Sequence, residues 1–157
     1  MKNISTKVLI ILGFTLSIYP QNNFSKRKIS NLKNQVSQLV ENDKKMTQVM
    51  VDKIFSFSEL GFQEFETSKY VTTILEQNGF EIEYGISGIP TAWMARWSNG
   101  QGGPTIALGS DFDGIPVSSQ YPGVAYHKPI VDGAPGHGEG HNSGLPVVMT
   151  AAFSVQK

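Results

Sequence analysis

One change of rhythm constrains this chain more than any other feature. From residue 29 to residue 75 apolar side chains return every three or four positions, and from residue 81 they alternate. A period near 3.6 is a helix burying one face, and a period of two is a strand. Helices therefore come first and strands follow. Leu32, Val36, Leu39, Val40, Met50, Ile54 and Phe57 trace an amphipathic helix over residues 29–59, with a break expected near "ENDKK" and Gly61 as its C-terminal cap. A second helix fits "FQEFETSKYVTTILEQNGF", where Phe65, Val71, Ile74 and Leu75 share a face and Asn78-Gly79 ends it.

The alternating part begins with "EIEY" and "TAWMARW". The second places Ala92, Met94 and Arg96 on one side and Trp93, Ala95 and Trp97 on the other. "SNGQGG" reads as a hairpin-like turn. "PTIALGS" reads as a short buried strand that delivers "DFDGIP" at its C-terminal end, which is where α/β sheets bind ligands. A loop rich in glycine and proline then runs over residues 114–144. "LPVVMTAAFSV" opens a last helix, with Pro146 in the first turn and Ser143 as its cap. The class is α/β, a mixed sheet flanked by helices. One helix layer is complete and another barely begun, so a truncated domain is expected.

Composition enters through what it excludes. With 13 basic and 13 acidic residues the net charge is zero, and nucleic acid or an anionic surface calls for a basic excess. Without cysteine there is no disulfide and no thiolate ligand, so any metal must be held by His, Asp or Glu. Lys2 and Lys7 precede the uncharged "VLIILGFTLSIY", residues 8–19. A positive start and a short apolar core read as a signal peptide over residues 1–20, too short for a stable membrane span. A polar linker over residues 21–28 and a folded domain part over residues 29–157 complete the expected organisation, in a protein that is exported, periplasmic or secreted.

Two clusters could carry chemistry. Asp111 and Asp113 lie two apart after a predicted strand, so in extended backbone they point the same way. Adjacent carboxylates repel unless a cation or a proton lies between them. The plain alternative is an Asx-rich turn before Gly114. In "GAPGHGEGHNSG", His137, Glu139 and His141 alternate with glycines that let the backbone bend toward one ion. Imidazole and carboxylate both suit zinc. The plain alternative is a flexible loop. Glu59 and Glu64 read as helix ends and solvated faces, His127 as exposed, and Trp93 and Trp97 as sheet packing. Ser110, Ser118 and Ser119 lack a nucleophile-elbow context, and no phosphate-binding glycine fingerprint opens a helix.

"ELGFQEFETSKYVTTILEQNGFEIEYGISGIPTAWMARW", "GPTIALGSDFDGIP" and "PGHGEGHNSG" together resemble the amidohydrolase branch of metallopeptidase family 20. That branch includes aminoacylases, hippurate and auxin-conjugate hydrolases, and p-aminobenzoyl-glutamate hydrolases. The last carry a similar "GIPTAF" strand, an acidic-x-Asp-Ala-Leu-Pro motif and a "GHGCGHN" loop. The resemblance covers roughly residues 51–157. It implies a hydrolase with two divalent ions, zinc or manganese, acting on small N-acyl amino acids or peptides, and a homodimer through a later inserted domain. By position, Asp113 matches the aspartate that orients a metal ligand, Asp111 its acidic companion, and His141 a metal-binding histidine. His137 is a further candidate ligand. Glu139 stands where many relatives have a metal-binding cysteine, and Asn142 where some have aspartate. A Glu-Glu pair that supplies the general base, and further histidine ligands, come later in the family than Lys157. The 157 residues are therefore expected to carry half a site and to be inactive alone. The alternatives are a non-catalytic fragment that binds metal or ligand, and a pseudoenzyme disabled at Glu139.

Overall fold

The computed structural model describes residues 25–100 and 102–157. The expected signal peptide and residues 21–24 of the expected linker lie outside them. Among the described residues, three α-helices, one short 3-10 turn (Ile86–Gly88) and one hairpin make up the fold: α1 (Lys26–Phe57), α2 (Phe65–Gln77), β1 (Glu81–Tyr84), β2 (Trp93–Arg96) and α3 (His141–Gln156).

α1 begins within the expected linker, because the Ser25 hydroxyl accepts the Lys28 N–H at 3.2 Å and caps it. It also runs unbroken through "ENDKK". That stretch holds no glycine or proline, and Glu41 pairs with Lys44 one turn on. The helix stops before Gly61. Ser58 takes the left-handed conformation at φ 48°, its N–H returning to the Ile54 carbonyl.

α2 buries Val71 and Leu75 but leaves Phe65 58% exposed, so Phe65 does not share their face in the fold. Asn78 and Gly79, the latter at φ 82°, close the helix as its sequence suggests. β1 and β2 then pair antiparallel, with Glu81 opposite Arg96 and Tyr84 opposite Trp93. Along β2, Trp93 and Ala95 are half-buried while Met94 and Arg96 are exposed, which is the alternation expected.

"PTIALGS" is not a strand. Its backbone has no ladder partner among the described residues, and Ile106 and Leu108 are 65% and 52% exposed. A strand is held by a neighbour's hydrogen bonds, so an apolar run that fits a buried strand stays irregular where none lies beside it. The described sheet is thus two-stranded, in a mixed helix-and-strand fold compatible with α/β.

α3 starts four residues before the expected Leu145. Gly140 at φ 92° turns the chain into the helix, and His141 is its first residue. Ser143 is therefore inside the first turn and bonds back to the Gly140 carbonyl at 2.8 Å. The core lies where Met50 and Ile54 of α1, Val71 and Leu75 of α2, and Leu145, Met149 and Phe153 of α3 meet. Thr47 and Thr150 bond across α1 and α3 at 2.7 Å, and Phe80 meets Phe153 edge-on. Truncating Phe153, 1% exposed, to alanine costs about 3–5 kcal/mol. No helix among the described residues is long and apolar enough to cross a membrane.

Candidate metal centre

Three short backbone segments meet beside this core. Leu60 bridges Gly114 in parallel, and Ile115 bridges Gly136 antiparallel. Gly114 donates its N–H to the Glu59 carbonyl at 2.6 Å, while Ile115 and Gly136 exchange hydrogen bonds at 2.9 and 3.1 Å. These pairings set the Asp-bearing segment against the glycine-rich loop. Gly136 has no alternative there, since a Cβ would lie 2.0 Å from the Ser118 carbonyl oxygen. Between the two aspartates, Phe112 stacks on Trp93 with ring centroids 6.2 Å apart and anchors the segment to the hairpin.

The side chains converge on His141. Its Nδ1 lies 2.9 Å from Asp113 Oδ1 and 3.2 Å from the Asp113 carbonyl oxygen. A carboxylate and a carbonyl only accept, so Nδ1 carries the hydrogen and donates. In the neutral ring Nε2 is then bare. It faces Asp111 Oδ1 at 3.4 Å and Glu139 Oε2 at 3.1 Å. The two aspartates thus meet the imidazole at different nitrogens.

Bare Nε2 and two carboxylate oxygens repel one another unless a positive charge joins them. Donors on one tetrahedral ion with bonds of about 2.0–2.2 Å sit about 3.3–3.6 Å apart, against 3.4 Å from Nε2 to Asp111 and 3.1 Å from Nε2 to Glu139. Ligand atoms of Asp111, Asp113 and His141 all lie within 4.8 Å of one another. The donor set therefore fits a divalent cation. His141 is 22% exposed against 73% for Asp111 and 55% for Glu139, so the carboxylates form the open side. Without an ion the charge is met by a proton. Desolvation, the largest influence, pulls the His141 pKa down, but the Asp113 hydrogen bond and the Asp111 charge outweigh it and raise the value. The N-terminus of α3 also favours the carboxylates near it.

His137 is not brought to this group. Its Nε2 donates to the Ile54 carbonyl at 3.0 Å, and its ring lies 6.4 Å from that of Phe55. Nδ1 is buried with no partner among the described residues. Burial chiefly lowers its pKa, against the Ile54 bond, which raises it. Alternating residues face one way only in extended backbone, and Gly140 ends any such run just before His141. His137 fastens the loop to α1. His127 is exposed, as its sequence suggests.

The sequence reads Glu59 as a solvated helix end and Gly61 as a helix cap, and gives Gly136 no role beyond loop flexibility. Glu59 is half-buried, and its carboxylate holds the start of α2. A Cβ at Gly61 would lie 3.3 Å from Asp113 Oδ2. No local pattern signals either, because the partners are distant in sequence.

A helix-and-hairpin scaffold thus carries a candidate metal centre, a histidine bonded to one carboxylate and faced by two more. No family model matches the chain, and no solved structure matches it. Among curated proteins it is 33% identical over 122 residues to one of the subunits of the p-aminobenzoyl-glutamate hydrolase of Escherichia coli, covering 78% of this chain and 25% of that protein. It is 32% identical over 105 residues to thermostable carboxypeptidase 1 of Saccharolobus solfataricus, covering 67% of this chain and 26% of the other. With the N-acetyl-L-cysteine deacetylase of Bacillus subtilis it shares 27% identity, covering 66% and 24%. The chain spans about a quarter of the length of the curated relatives it matches. These relatives are amidohydrolases and peptidases, and the chain resembles that metallopeptidase family 20-like group.

Proposed function

We propose that this chain is the N-terminal part of a metal-dependent amidohydrolase or peptidase that cleaves amide bonds in small N-acyl amino acids or peptides. The relatives' names support the bond type: p-aminobenzoyl-glutamate, N-acetyl-L-cysteine and a carboxypeptidase's peptide each present an amide next to an amino acid. The chain's span of about a quarter of those relatives supports its being one part of such an enzyme. Lys2, Lys7 and the apolar residues 8–19 support export.

The observation that carries the reading is the division of His141 between its two nitrogens, one bonded to Asp113 and the other facing Asp111 and Glu139. Asp111 and His141 would hold the first of two divalent ions, zinc or manganese, with Glu139, which faces the same ring nitrogen, as a further candidate ligand. The chemistry such an ion supplies is polarisation of the amide carbonyl and acidification of a water. Asp113 fixes the tautomer and the plane of the imidazole. Gly136 and Gly114 let the two segments approach closely enough for that bond to form.

Zinc titration tests the site. Glu139→Ala or His141→Ala should each remove binding at this centre, and full stoichiometry in both variants overturns the proposal. Hydrolysis of a panel of N-acyl amino acids and dipeptides by the natural gene product tests the reaction separately.

A further inference from the structure

Glu59 does two jobs with two parts of one residue. Its carboxylate accepts the Glu66 N–H at 2.9 Å on Oε1, and the Thr67 N–H and hydroxyl at 2.8 Å each on Oε2. These are donors of the first turn of α2, whose own N-cap, Glu64, makes no capping bond because its carboxylate accepts from Thr91 at 2.7 Å. The carbonyl of Glu59 meanwhile accepts from Gly114, and Leu60 beside it bridges Gly114. Gly61 completes the contact: a Cβ there would lie 3.3 Å from Asp113 Oδ2, a tight approach that the carboxylate would have to yield to.

The connection from α1 to α2 that carries Glu59 is strained. Ser58 at φ 48° and Phe62 at φ 65° both hold left-handed backbone that glycine adopts more readily, and Phe62 is 70% exposed. Nothing in the Phe62 side chain's surroundings holds it there. The Gln63 N–H, bonded to the Leu60 carbonyl at 2.9 Å, closes the turn over Phe62, and the pinned Glu59 carboxylate and the bridge to Gly114 fix the chain that enters it.

We infer that Glu59 is a positioning residue for the Asp111–Asp113–His141 centre, fastening the start of α2 with its carboxylate and the peptide after Asp113 with its carbonyl. The metal role of that centre rests on the function proposed above; the positioning of Asp113 against His141 does not. Loss of the carboxylate frees the connection, moves the acceptor for Gly114, and lets Asp113 leave His141 Nδ1. A glutamine at this position keeps the size but turns an amide N–H toward an N–H of α2.

The test compares Glu59→Gln and the milder Thr67→Val with Leu75→Ala, a buried α2 variant away from the centre. Two quantities are read on the 157-residue chain. Cobalt(II) titration followed by its d–d absorption gives metal affinity, and imidazole nitrogen NMR of the metal-free protein gives the His141 tautomer. Glu59→Gln should weaken cobalt binding about 10–100-fold, the size of effect seen when a partner that orients a ligand is lost. It should also reduce the Nδ1–H tautomer, with Thr67→Val changing both in the same direction by less. Leu75→Ala should change neither, even at an equal loss of melting temperature. A wild-type tautomer in Glu59→Gln overturns the inference, as does a shift of the same size in Leu75→Ala. If the parent chain binds no cobalt, the metal reading fails, and the tautomer comparison still decides the role of Glu59. Should Glu59→Gln not fold, Thr67→Val decides it by the same comparison.

Discussion

The Nδ1 of His141 lies 2.9 Å from Oδ1 of Asp113, the nearer of two acceptors that turn Nε2 to the open side of the centre. Asp113→Ala removes the carboxylate and leaves only the residue-113 carbonyl at 3.2 Å to orient the ring. Zinc affinity measured by competition with a chromophoric chelator should fall about 10–100-fold. Asp113→Asn keeps an oxygen acceptor and should lose less, provided the amide oxygen takes the place of Oδ1. Equal affinity in all three proteins would remove Asp113 from any part in the centre.

Glu139 offers a hard oxygen where the resembling family has a soft thiolate. Softness of the donor sets the balance between metals, with sulfur favouring zinc and carboxylate suiting manganese as well. Glu139→Cys should therefore raise the ratio of zinc to manganese affinity, and Glu139→Ala should weaken both. Calorimetric titration with each metal under reducing conditions reads the ratio directly. An unchanged ratio in Glu139→Cys places the side chain outside the coordination sphere.

Gly136 and Gly138 look interchangeable in the sequence, but their surroundings differ. A Cβ at Gly136 meets the backbone of Ser118 at 2.0 Å, whereas one at Gly138 meets the Cδ1 tip of Ile115 at 2.9 Å. Backbone cannot move aside without breaking the Ile115–Gly136 pair, while a side-chain tip can rotate. Gly136→Ala should cost about 2–3 kcal/mol in urea unfolding, and Gly138→Ala about 1 kcal/mol or less. The order of the two losses is the test.

The same contrast explains what the sequence made legible. α2, the two short strands and the alternation along β2 follow from local periodicity, but the turn that joins the strands lies over residues 85–92 and not at "SNGQGG", where the sequence suggests a hairpin-like turn. "PTIALGS" carries an apolar pattern equally good for a strand, but pairing depends on a neighbour the pattern does not encode. His137 and His141 look equivalent at i and i+4. Only the left-handed Gly140 and the start of α3 turn one to Ile54 and the other to Asp113. Glu59 reads as a solvated helix end because its contacts, to residues 66, 67 and 114, depend on how the chain returns on itself.

Those two histidines give the metal-free chain opposite responses to pH. The pKa of His137 is lowered, mainly by burial, so below its ordinary value of about 6.5 the unfolded chain binds the extra proton. Its contribution to stability is lost as pH falls from about 6.5 through the depressed folded value. The pKa of His141 is raised, because the Asp113 bond and the Asp111 charge outweigh desolvation. Its contribution is complete below about 6.5 and is lost as pH rises through the elevated folded value. Urea unfolding at about pH 5.5, 6.5 and 8 should show His137→Gln flattening the acid limb and His141→Gln the alkaline one. Zinc binds the unprotonated ring, so adding it should turn the alkaline loss of the parent chain into a gain and leave His141→Gln unchanged. A zinc-induced gain that survives in His141→Gln would place the ion elsewhere.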